Sequence, residues 1–557
     1  MFLDTNREIM IENHTHQIES EKYMAYWEGL IFIKGIPSGA ESVRVFLREV
    51  HEKKIHKACG VLSGNFCCVL YDKLRDTRYA FIDNDGLSRL FYNHQLISSS
   101  FLALISRLNL TLTDLNPFSI IEFIQSGRIF GSKPFFNSVN ILSPHEILVI
   151  SDQDMKLTSK SKDIERVSRS SHEEAFLDLF TKIVASLRNR KLKLHLTGGS
   201  DSRLLTLFFK KELGIVDAFT VGAPGNPDVE IAKKLSEHMK LNHQIFYHPV
   251  SNEKDTLRDL EEIFETFDGL FSTPELYQAY HSHQRTRHCG TDLVISGKGG
   301  ELYKLSAYHS LRREKRGATI ERLVRTGSLN WCSPPYIPSD IFSDRFRKHA
   351  SDYMPWLENI LKTRFRKERG RVLEDKINYE YSVRGDYRLS NDTKVLRVYA
   401  PLLDKELVSC AQGISGFNRL FSNFHRKMMN SLDATVSQIE TTNPRYGYVK
   451  GINWLFGKVK KRIQHKTGEF KRLVGCSNKS SGELESNDWS DKIVSKDVMN
   501  RTHSIYDLVR NSRRGHEQME YLKLCGILKP DIPIKEIDNL FYGRLFTVAQ
   551  LLQRIKQ

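Results

Sequence analysis

Leu194-His195-Leu196-Thr197-Gly198-Gly199-Ser200-Asp201-Ser202-Arg203 reads as an apolar strand running into two glycines, then a hydroxyl, a carboxylate and a second hydroxyl that open a helix. Glycines let a backbone approach an anion closely. The N–H groups of such a turn and the helix N-terminus behind it aim partial positive charge at that anion. The hydroxyls of Ser200 and Ser202 can donate to phosphate oxygens. Asp201 would be repelled by phosphate, so the role expected for it is to hold a Mg²⁺ that bridges phosphates. A Walker loop is excluded at this turn, because GxxxxGK[ST] is not present there. An ordinary strand-turn-helix with a capping Ser or Asp is the competing reading.

The surroundings favour the ligand-binding one. A helical segment, Glu173–Arg188, precedes the strand Lys191–Leu196, and a helix follows from about Ser202. A strand at Val216–Val221, a helix from Asp228 to Lys240 and a strand at His243–Tyr247 come next. Strands alternating with helices predict a parallel sheet covered on both faces, with ligands bound beyond the carboxyl ends of the strands. Residues from about 305 to 557 read mostly as helix. Basic clusters at Arg312–Arg316, Arg364–Arg371 and Lys458–Arg462 are expected to be solvated helix faces.

The first 160 residues read differently. Leu30–Ile33, Gly64–Tyr71, Arg78–Ile82 and Glu146–Ile150 are short apolar or aromatic runs bounded by turn residues such as Asp72-Lys73 and Asn84-Asp85-Gly86, and they predict strands. Ser151–Ser171 is polar and poor in apolar residues, and is the expected linker. The chain is thus read as two domains, 1–160 and 172–557. A length of 557 residues is consistent with that division.

Charged residues make up 27% and hydrophobic residues 40%, a balance that excludes a disordered chain. The net charge of +16 fits a polyanionic substrate such as ATP as well as nucleic acid or an anionic membrane surface. No run of 18 apolar residues predicts a membrane span, and the first residues have no signal-peptide core. Eight scattered cysteines form no CxxC pair and no zinc spacing, which points to the cytoplasm. Cys67 and Cys68, adjacent in an expected strand, should point to opposite faces as buried thiols.

The loop Thr197–Ser202 is similar to the SGGxDS of the asparagine synthetase-like ATP pyrophosphatases, with Thr in place of the first Ser. The resemblance continues through Phe219–Asp228, where the family has an adenine-contacting strand and a Gly-Pro turn. Val294–Tyr303 resembles its second ATP loop, SGxGxDE. Pro401–Val408 resembles PFLDxELV, and Asn443–Tyr448 resembles RPKxGF. In the first half, Gly64–Asp72, Ala80–Tyr92 and Phe136–His145 resemble segments of the class II glutamine amidotransferase domain.

The resemblance implies an N-terminal Ntn-hydrolase-like αββα sandwich and a C-terminal PP-loop domain of the adenine nucleotide α-hydrolase type with a helical end. It implies that a substrate carboxylate attacks the α-phosphate of ATP and that an amine then displaces AMP. Leu196, Val221, Gly222, Ser296 and Gly297 would contact the nucleotide. Thr197, Gly198, Gly199, Ser200 and Ser202 would cradle pyrophosphate, and Asp201 with Glu301 would hold magnesium. Lys298 stands where the family carries an acid associated with the amine, and Arg445 stands where it carries a catalytic lysine. Both are taken as catalytic positions, with Lys298 supplying the ammonium that Arg445 replaces.

The amidotransferase nucleophile of the family is a cysteine directly after the initiator Met. Phe2 stands there, and the first cysteine is Cys59. Glutaminase activity is therefore expected to be lost, as in β-lactam synthetases and lasso-peptide cyclases, which use an amine already on the substrate. The expected substrate is a small molecule or peptide bearing a carboxylate and an amine. A homodimer remains open, and the first half argues against nucleic acid. Two other readings stay open from the sequence: a degenerate, non-catalytic binding protein, and a PP-loop enzyme that modifies RNA.

Overall fold

A computed structural model describes residues 2–3, 9–10, 15–127, 129, 131–151, 154–160, 172–246, 252–304, 339–364, 395–419, 422–442, 505–534 and 537–555. Among these residues the two halves differ in kind. The first half contains two antiparallel sheets. In the larger, Met155–Ser159, Glu146–Ile150, Thr77–Ile82, Leu62–Asp72, Tyr23–Ile33 and His16–Glu19 lie side by side in that order. The smaller is built of two-residue strands around Phe2–Leu3, Ile97–Ser98 and Phe91–Tyr92.

Alternation decides which way the large sheet faces. Ala25, Trp27 and Ile31 pack with Phe66, Cys68 and Phe81 under Val43 and Phe46 of the helix Ala40–Lys53. Cys67 faces the other side, with Val69, Ala80 and Leu148. The two adjacent thiols are thus buried on opposite faces, as expected from the strand period. At the centre of the longest strand pair, Gly29 and Gly64 both adopt positive φ. A Cβ on either would overlap the backbone carbonyl of the facing strand, at Asn65 or Leu30, so this close approach admits only glycine.

The second half holds a five-stranded parallel sheet in the order Asn242–Phe246, Asp217–Val221, Leu192–His195, Leu293–Ile295, Arg397–Tyr399. The helices His172–Ser186, Ser200–Leu213, Pro227–Met239, Glu253–Thr266 and Thr273–His288 accompany it. Phe176 and Phe180 of the first helix meet Phe208 of the second at ring distances of 5.9 and 4.5 Å. Aromatic burial of this size fixes the helix pair against the sheet.

One expectation needs correction. Ser151–Ser171 is not simply a linker, because Met155–Ser159 pairs antiparallel with Glu146–Ile150 as an edge strand. Its side chains are half-exposed or exposed, and its only apolar residues are Met155 and Leu157, too few to mark a strand. The described residues after 305 are mostly helical, as expected, and Arg397–Tyr399 adds the last parallel strand. Three residues are too few to show a period. The basic clusters at 312–316, 365–371 and 458–462 lie outside the described residues, as does Tyr247.

Polar contacts tie the halves together. Lys34 is largely buried and ion-paired with Asp404 and Glu406, each at 3.1 Å. Burial alone would lower its pKa, but the two carboxylates raise it above the usual value. Asn65 Nδ2 donates to Val398 O at 2.8 Å, and Lys405 N–H donates to Asp85 Oδ1 at 2.8 Å. These contacts fix the turn Pro401–Leu403, which walls the site described next.

Candidate active site

The strand order sets where a ligand can sit. Leu192–His195 is first in sequence among the parallel strands; later strands add on one side as far as Asn242–Phe246, then on the other from Leu293–Ile295. The connections leaving Leu192–His195 and Leu293–Ile295 therefore start in opposite directions at the carboxyl ends, the place where open parallel sheets bind ligands. The two glycine loops of the sequence are these connections.

The first loop holds its own polar groups. Thr197 N–H donates to Ser202 Oγ at 3.1 Å, and Gly199 N–H donates to Thr197 Oγ1 at 3.2 Å. Gly198 N–H donates to Asp228 Oδ1 at 2.8 Å. That carboxylate comes from the first turn of the helix Pro227–Met239, capped by Asn226 with Pro227 following it. The Gly198 amide thus takes a carboxylate oxygen as its partner. Gly199 is the N-cap of the helix Ser200–Leu213, which begins two residues earlier than the sequence suggested. As its first three residues, Ser200, Asp201 and Ser202 have no carbonyl four positions back within the helix for their N–H groups. Ser200 Oγ is buried without a hydrogen-bond partner, a donor in want of an acceptor.

Leu196 is fully buried. Its N–H donates to Phe219 O at 2.9 Å, and its carbonyl accepts from Thr220 Oγ1 at 2.7 Å. Val221 ends the neighbouring strand, and Gly222 N–H donates to Phe246 O at 3.0 Å. A Cβ on Gly222 would meet Val229 at 2.8 Å. These three residues therefore border the same end of the sheet as the glycine loop.

The second loop leans on the first. Ser296 N–H donates to Tyr399 O at 2.9 Å. A Cβ on Gly297 would lie 3.0 Å from Ser202 N, and one on Gly300 would overlap Asp201 Cγ. Gly299 has φ +87, and a Cβ there would meet Leu403 at 2.6 Å. Only a glycine loop fits between the helix N-terminus and the Pro401–Leu403 turn. Lys298 is half-buried, with its N–H on Ser296 Oγ at 3.4 Å. Glu301 lies in the short 3₁₀ turn Gly300–Tyr303. Arg445 and the stretch Asn443–Tyr448 lie outside the described residues.

Asp201 is the residue the sequence pointed to for magnesium, with Glu301. Lys304 Nζ lies 2.6 Å from its Oδ1 and 2.7 Å from its Oδ2. His425 Nε2 lies 2.8 Å from Oδ1. Burial would push the Asp201 carboxyl up, but the Lys304 ammonium and His425 hold it well below the usual carboxylate range. His425, itself fully buried, is held below the usual imidazole range by that burial, against the pull of Asp201. A divalent ion would need the carboxylate oxygens that Lys304 already takes, and would be repelled by the ammonium. The residues as arranged do not fit a metal at Asp201, and no cluster of three or more His, Cys, Asp or Glu metal ligands occurs among the described residues.

Arg203, also fully buried, fastens the first loop to a distant segment. Its guanidinium donates to the carbonyls of Val436, Ile439 and Glu440 at 3.1, 2.6 and 2.7 Å, and to Gly198 O at 3.4 Å. Thr442 joins the same knot through Asp228 Oδ1 at 2.9 Å and Gly198 O at 3.3 Å. Beneath the site, Tyr303 stacks on Phe424 at 5.5 Å and meets Phe176 edge-on at 5.6 Å. Tyr303 is core, with its hydroxyl on Leu402 O and Leu407 O. Tyr277 and Tyr280 are likewise committed, to Asp259 and Glu262. An open groove of about 670 Å³, bordered by Arg188, Arg190, Glu212 and Asp217, lies at the opposite ends of the strands and is not part of this site.

The sequence did not single out Lys304, His425, Asp228 or Thr442. Asp228 could have been found from its place in the first turn after Asn226-Pro227. The other three are brought in by tertiary folding alone.

Residues 175–431 match the family model described as asparagine synthase. The asparagine synthetase B [glutamine-hydrolyzing] of Escherichia coli (strain K12) is 27% identical over 123 residues, 19% of this chain and 22% of that protein. An asparagine synthetase [glutamine-hydrolyzing] of Asparagus officinalis is 29% identical over 119 residues, 19% of this chain and 20% of its own length. That of Triphysaria versicolor is 23% identical over 265 residues, 43% of this chain and 39% of its own. The matched stretches thus span between a fifth and two fifths of these relatives. No helix among the described residues is long and apolar enough to cross a membrane. Residues 175–431 thus carry an asparagine synthase-type domain, and these partial matches support an asparagine synthetase-like family for that part of the chain.

Proposed function

We propose that the chain is an ATP-dependent amide-forming ligase. A substrate carboxylate attacks the α-phosphate of ATP and pyrophosphate leaves; an amine then attacks the acyl carbon and AMP leaves. The observation that carries this reading is the meeting of two glycine loops at the strand-order reversal, close enough that a Cβ at Gly297 or Gly300 would collide with the helix N-terminus at Asp201-Ser202.

In this reading Thr197, Gly198, Gly199, Ser200 and Ser202 take the departing pyrophosphate. Asp228 gives up Gly198 N–H, and Thr197 N–H leaves Ser202. Leu196, Val221 and Gly222 border the nucleoside, and Ser296 and Gly297 close it from the other side. Lys298 and Arg445 supply positive charge to the phosphate in the transition state. Fixed positive charge and placement are the main means of catalysis in such displacements.

The first half is read as an amidotransferase-like domain without glutaminase activity. Its two antiparallel sheets and the helix Ala40–Lys53 support the fold. Its cysteines Cys59, Cys67 and Cys68 are buried free thiols. Burial raises all three pKa values, that of Cys59 to about 12, so they are not poised as thiolates. The amine is accordingly free ammonia or a group on the substrate.

The test is acid-dependent AMP formation. ATP is incubated with the protein, a panel of carboxylic acids, and hydroxylamine as a surrogate amine. The reading expects AMP and pyrophosphate with a hydroxamate product for at least one acid. ADP as the product, or AMP formation indifferent to every acid, would contradict it.

A further inference from the structure

We propose that Lys304 is the built-in cation of the phosphate site, so that nucleotide phosphates bind without a divalent ion at Asp201. This rests on the nucleotide-binding reading above and concerns the same site.

Three observations converge on it. First, Lys304 is placed as a bound cation would be, with its Nζ at 2.6 and 2.7 Å from the two oxygens of Asp201. Its side chain is only 8% exposed and that of Asp201 19%, so the pair is mostly shielded from water. Second, the surroundings hold this arrangement. His425 Nε2 closes on Oδ1 from the helix Asn423–Leu432, and Gly300 leaves no room for a Cβ against Asp201 Cγ. Lys304 is also held by its backbone, whose N–H donates to Glu301 O at 3.1 Å. Third, the charge balance favours an anion. A bare carboxylate in the first turn of Ser200–Leu213 would repel phosphate, whereas a carboxylate closely paired with an ammonium is neutral at short range. The partial positive charge of the helix N-terminus is then left to act on the phosphates.

When a nucleotide enters, the ammonium has three N–H donors to share. It keeps one on Asp201 and turns another to a pyrophosphate oxygen. No bond is broken or formed, and no proton moves.

The experiment is calorimetric titration of ATP into the full chain, once with excess magnesium and once with excess EDTA. Wild type, Lys304→Met and Lys304→Arg are compared. The expected result is a wild-type Kd that changes less than about threefold on metal removal, and metal-free binding weakened at least about tenfold in Lys304→Met and largely retained in Lys304→Arg. Because Lys304→Met leaves Asp201 without its ammonium and could unfold the chain, the double variant Asp201→Asn/Lys304→Met serves as the second arm, and it too should lose metal-free binding. Wild-type binding that needs magnesium, together with normal Mg·ATP binding by the lysine variants, would overturn the proposal while leaving the nucleotide site intact. No binding by wild type in either buffer would overturn both.

Discussion

The loops after Leu192–His195 and Leu293–Ile295 solve one problem in opposite ways. The first closes on itself: hydroxyls and a borrowed carboxylate satisfy the amides of Thr197, Gly198 and Gly199, and Arg203 ties it to Val436–Glu440. The second does little for itself. It uses Gly297, Gly299 and Gly300 to press against its neighbours, and its Lys304 reaches back to Asp201. One loop is thus a set of donors held in reserve, and the other is a wall with a cation. The difference teaches that two glycine loops at one sheet end can be held by different means, one by its own polar groups and one by close packing against its neighbours.

The largest effect should come from cutting the first loop loose. Arg203→Met leaves several buried carbonyls without their donor, and each such group costs about 1–3 kcal/mol. Urea denaturation should show a loss of more than about 3 kcal/mol, with Arg203→Lys failing to restore it because one ammonium cannot serve four carbonyls. A loss below about 0.5 kcal/mol would mean that the first loop does not depend on that tie.

Next comes the wall. Gly300→Ala drives a methyl into Asp201 and should cost about 1–3 kcal/mol by overpacking. Gly60→Ala is the control, since nothing lies within 4 Å of its Cβ position and its φ is not positive. Equal melting temperatures for the two variants would show that the second loop is not pressed on the first.

A smaller change should sharpen the contrast from the ligand's side. Asp228→Asn keeps an acceptor on Gly198 N–H but removes a negative charge facing the phosphates. ATP affinity should rise about three- to tenfold, at a cost of about 1 kcal/mol or less in stability. Unchanged or weaker affinity in calorimetry would mean that Asp228 does not compete with phosphate.

The smallest effect is in pH. His243 Nε2 lies 2.8 Å from Thr220 Oγ1, which donates to Leu196 O at the root of the first loop. Burial, and then Lys233, lower the His243 pKa. The unfolded chain therefore binds the proton more readily than the folded one. The stability His243 contributes is full above the unfolded pKa, about 6.5, and is lost as pH falls, by no more than about 1.4 kcal/mol per pH unit. His243→Gln should flatten the fall in the urea midpoint between about pH 7.5 and 5.5.

Much of this was legible in the residues. Gly198-Gly199 between an apolar strand and a hydroxyl-rich helix start located the first loop, and alternating segments from Glu173 onward announced the parallel sheet. The strands around Phe66 and Phe81 were visible as short apolar and aromatic runs bounded by turn residues. What escaped had no local signal. Met155–Ser159 is a short edge strand whose Leu157 is exposed, and Arg397–Tyr399 is too short to show a period. Lys304 and His425 meet Asp201 only through folding, from 103 and 224 positions away along the chain. The pairing of Asp201 with the Lys304 ammonium could not be read from spacing.

The central claim is that nucleotide sits between the two glycine loops. Hydrogen exchange of the full chain with and without ATP, read peptide by peptide, tests it most directly. The account predicts slowed exchange in peptides covering residues 196–203 and 296–304, with no change across the buried strand 62–72. Protection absent from both loops, or confined to another part of the chain, would contradict it.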